Sequence, residues 1–150
     1  FLPAHATDGI IGRLRFFCKT PLKCHRELSR FYPKDNTSGC TQEAKDFSAL
    51  RSRFKKQKAV IIGISPDSEA SHTKFVEKHG LTVELLSDSD KQICTLYGVC
   101  QKKQMAGRSY MGVVRTTFLI DPNGKITRMW TKVRVKGHAE EVLKACCDPT

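Results

Sequence analysis

The 150-residue chain has no apolar run near the roughly 18 consecutive residues of a membrane-crossing helix, so an integral membrane protein is not expected. It also lacks a CxxC pair. Its seven cysteines are Cys18, Cys24, Cys40, Cys94, Cys100, Cys146 and Cys147. The number is odd and no secretory signal pattern precedes them, which argues against a secreted disulfide framework. Cys18 and Cys24 stand six apart with no matching His/Cys pair, so no metal site is assigned. No RNA-recognition motif, zinc-finger spacing, basic heptad or internal repeat is present. The net charge of +11 is spread along the chain and reads as a solvated basic surface, with no specific nucleic-acid partner and no membrane partner expected.

What is present fits one domain with one substantial core, at 39% hydrophobic and 27% charged residues. From Phe31 onward the pattern is regular. Ala44, Phe47, Leu50 and Phe54 recur at helical spacing. The run from Ala59 to Ile64 is apolar and β-branched, as in a strand buried on both faces. Asp67 or Ser68 can cap a helix that Gly80 closes after His79. A short strand over 83–86 and a short helix before Tyr97 follow, then a loop over 102–112. Arg115 to Asp121 reads as a strand, Asp121-Pro122-Asn123-Gly124 as a turn, and Lys125 to Trp130 as the hairpin partner. A last helix opens at Gly137-His138 and ends near Cys146. Alternating β and α units closed by a hairpin and a helix describe an α/β sandwich of the thioredoxin type around a central mixed sheet.

Residues 1–30 stand outside this order and are read as an atypical leader, weakly ordered, ahead of a domain over 31–150. They hold Pro3, Gly9, Gly12 and Pro21 with four Arg and few acids, as a remnant of an organellar transit peptide would. A poorly packed or wrongly joined leader reads equally well.

The segment around Cys40 carries the most chemistry. Cys40 follows a polar turn where a helix begins, and free backbone N–H groups with the helix dipole favour an anion there. Thr37 can place a hydroxyl beside the sulfur, and Pro33 can shield it from water. Taken alone, a cysteine at a helix start is better explained by a buried, inert thiol.

The string FYPKDNTSGCTQEAKDF, containing Pro33, Thr37 and Cys40 in a Pro-x-x-x-Thr-x-x-Cys arrangement, resembles the active-site signature of peroxiredoxins. It is similar to the Q-type, or bacterioferritin comigratory protein, branch. VIIGISPDS (60–68), LLSDSDKQICTLYGV (85–99) and GVVRTTFLIDPNGKI (112–126) follow in the family's order. The resemblance implies a peroxidase acting on hydrogen peroxide and organic hydroperoxides. In it Cys40 becomes a sulfenic acid, and thioredoxin or a similar thiol is the reductant, with no metal or organic cofactor. It also implies that Arg115 contacts the Cys40 sulfur and the peroxide, with Glu43 placed on the first helix turn to meet Arg115.

Two departures qualify this. The family's usual resolving-cysteine positions fall on Lys45 and Val76. Cys100 and Cys94 are then the candidates, Cys100 the better placed, and the resolving cysteine stays unassigned. The second departure lies where the family has an apolar central strand: this chain has Lys23-Cys24-His25-Arg26-Glu27-Leu28-Ser29-Arg30. Either the sheet forms with a poor strand or it lacks one. Both departures leave open a second class of function, an impaired redox-sensing or binding module. The expected setting is cytoplasmic or organellar, not secreted, and the expected state is a monomer.

Overall fold

In the computed structural model, residues 25–148 are described; the leader reading of residues 1–24, with Cys18 and Cys24, lies outside them. The elements run β1 (Arg26–Phe31), α1 (Ser38–Ala49), α2 (Arg51–Lys56), β2 (Ala59–Ser65), α3 (Glu69–His79) and β3 (Glu84–Ser87). They continue with α4 (Gln92–Leu96), β4 (Cys100–Met105), β5 (Arg108–Val113), β6 (Thr116–Ile120), β7 (Ile126–Trp130) and α5 (His138–Cys147). No described helix is long and apolar enough to cross a membrane.

Five strands form one mixed sheet in the order β3-β2-β1-β6-β7. β1 pairs parallel to β2, Leu28 opposite Ile61, and antiparallel to β6, Leu28 opposite Leu119. Side chains alternate across each strand, so β2 feeds two cores. Ile62 and Ile64 join Phe31, Cys94, Tyr97, Val99 and Phe118 on one face. Ala59 and Ile61 join Leu28, Ala44, Phe47, Phe54, Phe75, Val142 and Cys146 on the other, where α1, α2, α3 and α5 pack. The α/β sandwich with a central mixed sheet is thus the observed architecture.

The polar segment over 26–30, expected either to form a poor strand or to leave the sheet one strand short, does enter the sheet. It forms the central strand, so a boundary after residue 30 cuts through β1. Its polar side chains are buried, Arg26 half-buried, and each finds a partner, although Nε and Nη2 of Arg30 carry no hydrogen bond. Ser29 donates from Oγ to Glu27 Oε1 at 2.8 Å. Arg30, fully buried, donates from Nη1 to Glu43 Oε2 at 3.1 Å and lies over the rings of Tyr32 and Phe47. Arg26 reaches the carbonyl of Cys146 at the end of α5.

A second correction falls at 102–112. The expected loop is a two-stranded hairpin, Met105 opposite Arg108, turned by Ala106 and Gly107. Both have positive φ, 51° and 74°, as a two-residue turn matching strand twist requires. The helix over 44–54 starts earlier, at Ser38, and breaks at Leu50 into α1 and α2. The α3 boundaries match the reading: Ser68 Oγ accepts from Ser71 N at 3.2 Å, and Gly80 adopts φ 59°.

Candidate active site

β1 ends at Phe31 and the chain turns through Pro33–Thr37 into α1, so the tip of the central strand delivers the first turn of a helix. Thr37 is the N-cap, and its hydroxyl oxygen accepts from Cys40 N at 3.4 Å. The hydroxyl proton goes to the Lys34 carbonyl at 3.3 Å. The structure therefore uses the Thr37 hydroxyl to seat Cys40 in the helix. Pro33 is half-buried in the same turn.

A network of polar side chains braces that turn from the side. Asp35 Oδ1 accepts from the Tyr32 hydroxyl at 2.7 Å, and its Oδ2 accepts from Ser71 Oγ at 2.8 Å and meets His72 Nδ1 at 2.8 Å. Asp67 Oδ2 accepts from Asp35 N at 2.8 Å and from Ser65 Oγ at 2.6 Å. Asp35, Asp67 and His72 present the donor types that hold divalent metals, within 4.8 Å of one another. Their atoms are engaged in tying the turn to α3, and no metal is assigned to them.

Cys40 is 1% exposed. Arg115, in the short link between β5 and β6, donates from Nη2 to Cys40 Sγ at 3.1 Å. Its Nη1 meets Glu43 Oε2, the same oxygen that Arg30 engages from β1. Burial opposes the charge on Arg115, but Glu43 and Cys40 outweigh it and hold the guanidinium above its usual range. His138, at the start of α5, bonds through Nε2 to Thr117 Oγ1 at 2.9 Å; burial lowers its basicity. A shallow groove beside the first turns of α1 is lined by Ser38, Gly39, Gln42 and Asp46 and by Val135–Gly137. Gly39 keeps this approach tight: a Cβ there would lie 3.4 Å from Arg115 Nη2 and 3.8 Å from Val135 Cγ2.

The structure thus gathers Cys40, Thr37, Arg115 and Glu43, residues singled out from sequence, within one cluster. It does not bring in the two candidate resolving thiols. Cys94 sits in the core on the other face of the sheet and Cys100 packs against that same core. Burial and a hydrogen bond to Asp88 push the Cys94 thiol far above its usual range. Sequence reasoning missed Arg30 as part of the cluster. Its only signal in the sequence is a charge inside a polar segment standing where an apolar strand is expected.

A single thiol at a helix start, clasped by a guanidinium at the end of a thioredoxin-like sheet, defines a thiol-based redox enzyme. Residues 28–129 match the AhpC/TSA family. Peroxiredoxin Bcp of Xanthomonas campestris pv. campestris is 46% identical over 147 residues, covering 96% of this chain and 91% of that protein. Peroxiredoxin Bcp of Bacillus subtilis is 47% identical over 118 residues, covering 79% and 75%. Among solved structures, Xanthomonas campestris peroxiredoxin Q superposes with a TM-score of 0.79 at 43% identity, covering 83% of this chain and 79% of that one. Mycobacterium tuberculosis BcpB does so at 0.71 and 33%, covering 81% and 77%. The chain belongs to the AhpC/TSA family and, within it, to the Q-type peroxiredoxins, which are thiol peroxidases.

Proposed function

We propose that Cys40 is the peroxide-attacking thiol of this peroxidase and that Arg115 is its principal electrostatic partner. The observation that carries this reading is the 3.1 Å hydrogen bond from Arg115 Nη2 to Cys40 Sγ. The Cys40 thiolate attacks one oxygen of the hydroperoxide; an S–O bond forms as the O–O bond breaks. Sulfur is oxidised to sulfenic acid, and the departing oxygen leaves as alkoxide or hydroxide and takes a proton to become alcohol or water. A fixed guanidinium stabilises both the thiolate and the charge growing on the departing oxygen. Thr37 holds Cys40 in the helix turn, and Pro33 shields the approach. With Cys40 nearly buried, a slim hydroperoxide head is what can reach the sulfur.

Hydrogen peroxide and alkyl hydroperoxides are the proposed substrates. A solved structure of the Xanthomonas campestris bacterioferritin comigratory protein, 42% identical, concerns alkyl peroxide reduction by that protein. The electrons come from thioredoxin or a similar thiol acting on a monomer: one thiol condenses with the sulfenic acid, releasing water, and a second reduces the resulting disulfide. Among the described residues, Cys94 and Cys100 share no core with α1, and Cys146, which does, lies at the far end of α5 from His138; this favours an external thiol over an internal one. The reading as an impaired module drew on a poor central strand and on the missing resolving cysteine; a fully paired β1 and the Arg115–Cys40 contact weigh against the first of these.

Peroxide consumption with a thioredoxin system tests the assignment. Cys40→Ser abolishes activity, and Arg115→Ala slows the peroxide step on the order of 10²-fold or more. An active Cys40→Ser protein refutes the assignment; an unchanged Arg115→Ala rate constant makes Arg115 purely structural.

A further inference from the structure

We propose that Arg30 is a positioning residue for the peroxidase reaction, sharing Glu43 with Arg115 so that the Arg115 guanidinium stays fixed on Cys40 with its positive charge uncancelled. The inference rests on the reading of Cys40 as the reacting thiol.

Arg30 is an unusual tenant of the centre of a sheet. It is 0% exposed, as is Glu43, and the two meet at 3.1 Å. A buried charge is retained only where it is paired and hydrogen-bonded. Glu43 supplies the pair; Nε and Nη2 of Arg30 make no hydrogen bond, and the guanidinium lies over the faces of Tyr32 (4.7 Å) and Phe47 (5.7 Å). The space it occupies exists because β2 has Gly63 next to it: a Cβ there would come within 3.0 Å of Arg30 Nη2 and 2.6 Å of Leu85 Cδ2. Both guanidinia converge on the same atom, Glu43 Oε2, one from β1 and one from the β5–β6 link.

The charges that surround Cys40 decide what this does. From its own helix comes Glu43, from the β5–β6 link Arg115, from β1 Arg30, and from α5 His138. Burial disfavours the charged form of His138, and it holds the Tyr32 hydroxyl neutral. Two guanidinia therefore face one carboxylate. With Arg115 alone, Glu43 would offset most of the positive potential that the thiolate and the leaving oxygen need. Arg30 takes up that carboxylate, and in doing so holds Glu43 where it orients Arg115. Arg30 touches neither sulfur nor substrate, so its action is through Glu43 and Arg115.

The test compares Arg30→Met, Arg30→Gln and Arg30→Lys in the full chain, with folding checked by circular dichroism. Two quantities are read: the rate constant for peroxide, and the pH midpoint of iodoacetamide alkylation resolved at the Cys40 peptide. The neutral variants are expected to react with peroxide about tenfold more slowly and to move the alkylation midpoint to higher pH. Arg30→Lys, which restores the charge, is expected to return the midpoint towards the wild-type value. Arg30→Gln can still donate to Glu43 without charge and serves in the same way where Arg30→Met does not fold. An unchanged rate and midpoint in a folded neutral variant overturns the proposal. So does a midpoint that Arg30→Lys leaves as displaced as the neutral variants do, since that marks packing alone. Cys40→Ser separates the two levels: activity in that variant sinks the assignment of Cys40, whereas an inactive Cys40→Ser beside a wild-type Arg30→Met sinks only the role of Arg30.

Discussion

At the scale of single residues, the site divides into parts that sequence could name and parts that only folding assembles. Pro33, Thr37 and Cys40 lie within eight positions and Arg115 in a motif of its own, so their spacing was readable. Thr37 was read as a hydroxyl for the sulfur, and the structure spends it on the backbone N of Cys40. Arg30 was illegible because its partner Glu43 lies 13 positions on and two elements meet to join them. The same holds for His72, whose partner Asp35 is 37 positions away. Gly63 shows how closely the buried arginine is fitted. Gly63→Ala would press a methyl against Leu85 and the Arg30 guanidinium, and overpacking of this kind typically costs about 1–3 kcal/mol. Denaturant unfolding of Gly63→Ala is expected to show a loss in that range, together with slower peroxide reduction; wild-type stability and rate would mean the pocket yields freely.

At the scale of elements, reading went well wherever periodicity or turn chemistry was strong. The apolar run of β2, the Ser68 and Gly80 limits of α3 and the Asp121–Gly124 turn all stand where local rules put them. Asp121 Oδ1 accepts from Asn123 N and Lys125 N, which is why that turn is legible. β1 stays undecided in the sequence because its polar residues find tertiary partners, and a rule about apolar central strands has no access to them. The β4–β5 hairpin failed for a different reason. Its turn is Ala106-Gly107, without the Asn-Gly or Asp-Gly signal, and Ala106 bears a φ of 51° that an alanine adopts at a cost. Ala106→Asn is therefore expected to stabilise the protein by about 0.5–1 kcal/mol with peroxidase activity unchanged. A lower thermal midpoint for that variant would show that the turn gains from alanine in some other way.

At the scale of the whole molecule, the sheet separates the chemistry. Cys94 and Cys100 belong to one core, while the other holds the packing residues of α1 together with Cys146 at the far end of α5. Burial raises the Cys146 thiol from 9.0 to about 11, and Cys94, Tyr32 and Tyr97 are pushed up further, chiefly by burial. The unfolded chain releases these protons at the ordinary values, 9.0 for the thiols and 10.0 for the phenols; the folded chain holds them to higher pH. The unfolded state then binds fewer protons, so stability is whole below about pH 9 and falls as pH rises, for Cys146 through about 11. Thermal unfolding across pH 8–11 is expected to show this fall, and Cys146→Ala together with Cys94→Ala to flatten it. A midpoint independent of pH over that range would contradict the burial of these groups. The same separation bears on the proposed redox cycle. A disulfide needs Cα atoms within about 7 Å, and thiols packed across the sheet from α1 do not meet Cys40 without local unwinding. The most direct measurement is peptide mapping after one equivalent of peroxide, with thiols blocked and sulfenic acid trapped. The expected product is sulfenic acid on Cys40, passing to sulfinic acid when reductant is withheld. An unmodified Cys40 beside another oxidised cysteine, or a dominant Cys40–Cys94 or Cys40–Cys100 disulfide, would contradict it.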